Sequence, residues 1–153
     1  LKSDVSAVEY SSADPTVIRE PIRNNYYNVE RYMDMSDDFN ELASFDLSKL
    51  ENEYSDAPDV LEEIMSIFRE EAPQRLELLQ SGVSNSDAGQ VRKAAHSLAN
   101  TTGTLMAERA VALARATEES ARAGDLDRMN QRAESLAAEV SGILEKMNSR
   151  ESR

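Results

Sequence analysis

Val91-Arg92-Lys93-Ala94-Ala95-His96-Ser97-Leu98-Ala99-Asn100-Thr101-Thr102-Gly103-Thr104-Leu105 is the stretch on which the reading of this chain turns. At about 100° per residue, Val91, Ala94, Ala95, Leu98, Thr102 and Leu105 fall on one stripe, the pattern of a helix with one face against a core. His96 is the only histidine, and it lies about 150° from the centre of that stripe. Arg92, Lys93, Ala99, Asn100 and Gly103 share its face. They are cationic, small or polar, and are expected to leave the imidazole open to a partner. A histidine that packs a core belongs inside such a stripe. This ring therefore reads either as an idle surface side chain or as a group that acts on something brought to it.

The same periodicity extends outward in both directions. From Phe45 onward the pattern is helical, with no alternating strand and with glycine or proline at the joints. Asp46 is placed to cap a short helix carrying Leu47 and Leu50, which stops before Ser55-Asp56-Ala57-Pro58. Pro58 suits the start of a second helix that presents Val60, Leu61, Ile64, Ile67, Phe68, Leu76 and Leu79 before Gly82, with a kink expected at Pro73. Gly82 to Asp87 reads as a loop. The histidine helix runs to about Leu105, and a fourth carries Ala110, Val111, Leu113, Ala114, Thr117 and Ala121. Gly124-Asp125 reads as a stop followed by a new N-cap. A last helix shows Leu126, Met129, Ala133, Leu136, Ala137, Val140, Ile143, Leu144 and Met147. The expected fold is all-α: an antiparallel four-helix bundle with an additional short N-terminal helix. The bundle is expected over residues 45–149, with a frayed end at 150–153. Residues 1–44 hold Pro15 and Pro21, few aliphatics and an acidic excess, and read as a linker or tail. Within them Tyr26, Val29 and Met33 have the spacing of a short docking helix.

Composition narrows the chemistry. Lys and Arg total 17 against 29 Asp and Glu, a net charge of −12 that argues against nucleic acid and anionic lipid as partners and favours proteins. Without cysteine, and with one histidine, thiolate sites, disulfides and multi-histidine metal sites are excluded. No cofactor is implied. No run of 18 apolar residues and no signal peptide pattern is seen, which makes a cytoplasmic setting the default expectation. A first residue of Leu1 rather than Met suggests a piece of a longer polypeptide. The Glu62-Glu63 and Glu70-Glu71 pairs read as solvated helix charges, since no nucleophile motif accompanies them, and the methionines as core filler.

An exposed imidazole is a nucleophile at neutral pH, because a reference pKa of about 6.5 leaves most such rings as free base. A phosphoryl group can be taken onto the ring and passed on, provided that cations meet its oxygens. Arg92 and Lys93, on the preceding turn, are the candidates for offsetting that charge. Gly103 clears a side chain from the same face at a cost to the helix of about 0.5–1 kcal/mol, which close approach of another backbone would explain.

Over Asp46 to Asn148 the chain resembles the histidine phosphotransfer (HPt) domains of multistep two-component phosphorelays. The resemblance is carried by Ala95-His96-Ser97-Leu98, by Phe68-Arg69-Glu70-Glu71-Ala72-Pro73 before it, and by Leu113-Ala114, Glu118-Glu119 and Gly124-Asp125 after it. It implies a phosphoryl carrier, a transfer intermediate rather than a turnover enzyme. His96 would accept the group from a receiver-domain aspartate and donate it to another, with a sensor histidine kinase, in the same or a separate chain, as a further partner. Two departures stand out: the family pattern has lysine and glycine three and four residues after the histidine, where this chain has Ala99 and Asn100. Gly103 matches a common small residue, and Met106 stands where glycine is frequent. Arg92, Lys93 and Asn100 are the expected substitutes for the lysine. The alternative is a helical adaptor that docks receivers or kinases without efficient transfer.

Overall fold

A computed structural model describes residues 39–151, and five helices account for most of the described residues. They are α1 (Leu47–Glu53), α2 (Pro58–Ser84), α3 (Ala88–Thr104), α4 (Glu108–Ala123) and α5 (Leu126–Glu151). The segment through Tyr26, Val29 and Met33 lies outside the described residues. Joints of two or three residues between the long helices force each to run antiparallel to the last. Helix α2 packs on α3, α3 on α4, α4 on α5 and α5 back on α2, closing a four-helix bundle with α1 as the extra short element.

Local chemistry sets the helix limits. The Asp46 carboxylate accepts from the backbone N–H of Lys49 at 3.2 Å to start α1. Pro58 opens α2, where its missing N–H costs nothing. Asp87 and Asp125 cap α3 and α5 by accepting from the N–H groups of Gln90 and Arg128. Gly124 ends α4 in the left-handed region at φ 76°. Met106, in the α3–α4 joint, is also left-handed at φ 58°. A residue with a Cβ is strained there by about 1–2 kcal/mol, a cost that glycine would not incur.

Three expectations change. Helix α2, with Pro73 inside it as expected, continues beyond Gly82 to Ser84. Gly82 is a contact point rather than a stop: a Cβ there would sit 2.8 Å from Val91 Cγ2 and 3.1 Å from the Val91 backbone N. Val60 and Ile67 are exposed on the outer face of α2, because the core takes the narrower stripe of Leu61, Met65, Phe68, Ala72, Leu76 and Leu79. At the C-terminus α5 stays helical through Arg150, whose guanidinium reaches Glu51 and Glu62 at 2.9 and 2.8 Å. Those hydrogen bonds, Glu51's first, raise the Arg150 pKa.

The N-terminal boundary also moves. Helices α2 and α5 have 27 and 26 residues against 17 and 16 for α3 and α4, an excess of about 15 Å at the end where α2 begins. Residues 39–46 and α1 fill that end. Phe39, Leu42, Phe45 and Leu50 are all buried. The Arg109 guanidinium donates to the carbonyls of Asn40 and Leu42, its backbone N–H to Ala43, and Lys146 to the carbonyl of Phe45. The packed unit therefore takes in Phe39 to Ser44, which the composition shift near Phe45 leaves outside it. Two buried apolar side chains are too few to register in a composition average.

Candidate functional site

His96 sits midway along α3 with a half-exposed side chain, 54 % accessible, where the helical period places it. Its neighbour across the α3–α4 seam is Glu118. The α3–α4 joint is short and the two helices are antiparallel, so residues about equally far from the joint face each other. His96 Nδ1 and Glu118 Oε2 are 3.0 Å apart, and Glu118 is buried. A carboxylate only accepts, so it assigns the proton of the neutral ring to Nδ1 and leaves the Nε2 lone pair free.

Glu118 is in turn held along its own helix. Arg115 Nη1 donates to Glu118 Oε1 at 3.0 Å, and Arg122 Nη2 lies 3.5 Å from Oε2. Arg122 also pairs with Glu119 at 2.6 Å. The spacings of three and four residues place Arg115, Glu118 and Arg122 on one face of α4. Arg115 Nη1 is also 3.3 Å from His96 Nδ1. With the proton on Nδ1 this is two donors side by side, so Glu118 positions the guanidinium there and the ring does not. On the other flank, Arg75 of α2 donates through Nε to the Ser97 hydroxyl at 2.7 Å, fixing the residue next to His96.

The five residues expected around the ring divide into two groups. Arg92, Lys93 and Asn100 are exposed on the turns before and after His96, and neither Arg92 nor Lys93 has an ion-pair partner among the described residues. Ala99 and Gly103 are buried, which corrects their placement on the open face. Both are small, and their burial widens the covered face of α3 and lets a neighbouring helix approach closely. Helix α4 is itself buried around most of its girth, at Ala110 to Ala114, Ala116, Thr117 and Ala121. The buried arc of α3 is therefore wider than its apolar stripe. Arg115 and Arg122 were not anticipated as site residues, and Glu118 only as part of a matching pattern. The usable signal was a glutamate flanked by the inward residues Ala114, Thr117 and Ala121, with arginine three before and four after.

No helix among the described residues is long and apolar enough to cross a membrane. No curated protein and no solved structure matches the chain. A protein-family model described as Hpt domain matches residues 63–146, from the first turns of α2 to the last turns of α5 and including His96 and Glu118. More than half of the chain falls within that match, and the chain therefore belongs to the family of Hpt domains, the histidine phosphotransfer modules of phosphorelays.

Proposed function

We propose that this domain carries a phosphoryl group on Nε2 of His96, taking it from the aspartyl phosphate of one receiver domain and giving it to the aspartate of another. Domains of this family interact with receivers and kinases, and a histidine kinase is a second source of the group. The observation that carries the reading is the half-exposed imidazole whose Nδ1 is anchored by the buried Glu118 carboxylate at 3.0 Å.

In the accepting step the Nε2 lone pair forms the N–P bond in line with the breaking P–O bond of the acyl phosphate. The electron pair of that bond leaves on the receiver carboxylate. The Nδ1 proton stays in place and the ring becomes cationic, facing Glu118, which lowers the energy of the charge that develops. Because Glu118 is already oriented by Arg115 and Arg122, the carboxylate itself need not move as the charge on the ring develops. The donating step is the reverse with a second receiver. Arg92, Lys93 and Asn100 form the rim that meets the receiver around its acidic phosphorylation pocket.

The test is incubation with a phosphorylated receiver. Acid-labile, base-stable label is expected on the wild-type chain and is expected to be absent from His96→Gln. Failure to label with several receivers and with a histidine kinase would sink the carrier reading and identify the chain as a docking adaptor.

A further inference from the structure

The geometry points to Arg115 of α4 as the ligand of the phosphoryl oxygens on His96, exchanging its partner from Glu118 to the phosphoryl group when the ring is charged. This rests on the carrier function proposed above and names the residue that makes it work in this chain.

A phosphoryl group on Nε2 brings two negative charges to a protein of net charge −12, so a cation must accompany it. Arg92 and Lys93 are on the same helix, but they are exposed and would give up side-chain freedom to fold over the ring. Arg115 has already lost most of that freedom. Its side chain is only 21 % accessible, and its Nη1 stands 3.3 Å from Nδ1, the one cation within hydrogen-bond range of the ring among the described residues. The contact is not itself a hydrogen bond, so moving away from the ring nitrogen costs no bond to it. Ala99, about one turn beyond His96, is buried and carries only a methyl group, so the following turn of α3 puts no long side chain beside the ring.

Glu118 is what makes the exchange feasible. It holds Arg115 in the resting state, yet it has two other partners, the Nδ1 proton of His96 and Arg122. When Arg115 turns to the phosphoryl oxygens, the buried carboxylate keeps both, and the cationic ring strengthens its hold on one. A carboxylate with a single partner could not release it without being stranded in the protein interior.

Phosphoramidate, a small donor that needs no partner protein, tests this on the whole chain. The quantities read are the rate of labelling, the half-life of the phosphohistidine, and the ring tautomer of the unphosphorylated protein by imidazole nitrogen NMR. Arg115→Gln is expected to slow labelling and shorten the half-life by about 10- to 100-fold, as for loss of one donor to a developing anion. The Nδ1–H tautomer is expected to persist in this variant. Arg115→Lys, which keeps the charge, is expected to restore most of both quantities, and far-UV circular dichroism confirms that each variant is folded. Wild-type rates and half-life in Arg115→Gln would overturn the assignment. So would loss of the tautomer together with equal defects in the lysine variant, which would make Arg115 only a positioning residue for Glu118. If the wild-type chain takes no label that His96→Gln abolishes, the carrier function itself fails, and that outcome is distinct from the other two.

Discussion

Replacing Glu118 by alanine removes three interactions at once: the anchor on Nδ1 of His96 and the hydrogen bonds from Arg115 and Arg122. The ring is then expected to sample both tautomers, visible by imidazole nitrogen NMR, and phosphoryl transfer to fall by at least about 10- to 100-fold, the range for losing the partner that orients a metal-bound histidine. Loss of the buried hydrogen bonds is expected to lower stability by about 1–3 kcal/mol in urea denaturation. A large loss of transfer with an unchanged tautomer would assign Glu118 to charge stabilisation alone. Of this cluster only His96 was legible beforehand, because its exposure follows from its own helix. Glu118 and Arg115 meet the ring only through the pairing of two helices, and neither has a local signal that names the partner. Ala99 and Gly103 were misplaced for a related reason: the period gives an angle around α3, and how much of that helix its neighbours cover is set by how closely the backbones approach.

At the scale of elements, two helical glycines separate propensity from packing. Gly142, in α5, has nothing within 4 Å of where a Cβ would stand. Gly142→Ala is expected to stabilise the domain by about 0.5–1 kcal/mol through helix propensity alone. Gly82→Ala gains the same propensity but drives its Cβ to 2.8 Å from Val91 Cγ2 and 3.1 Å from the Val91 backbone N. Overpacking against a backbone atom is expected to outweigh the gain, leaving a net loss of about 1–3 kcal/mol in thermal or urea denaturation. Equal shifts in the two variants would show that α2 and α3 separate there at little cost. Helix starts were readable where a side chain does the capping, as with Asp46 and Asp125, and so was the left-handed stop at Gly124. Gly82 was not, since a glycine near a helix end looks the same whether it terminates the helix or admits a neighbour.

For the whole molecule, the segment from Phe39 to Ser44 belongs to the packed unit through Phe39, Leu42 and the carbonyls bound by Arg109. A chain beginning at Phe45 is expected to be less stable than one beginning at Phe39 by at least about 3–5 kcal/mol, the cost of removing the buried Phe39 alone, with its helices retained by circular dichroism. Equal denaturation midpoints would return the boundary to Phe45. The sequence by itself determined the helices, their order, the all-α bundle and the exposure of His96. Each depends on contacts within a turn or on the 3.6-residue period, which act locally along the chain. Tertiary structure alone decided which atoms face the ring, that Ala99 and Gly103 are packing residues, and that Phe39 and Leu42 close the end of the bundle. These depend on side chains brought together across helices, where the sum of close packing and buried charge pairing, rather than any local preference, selects the neighbour.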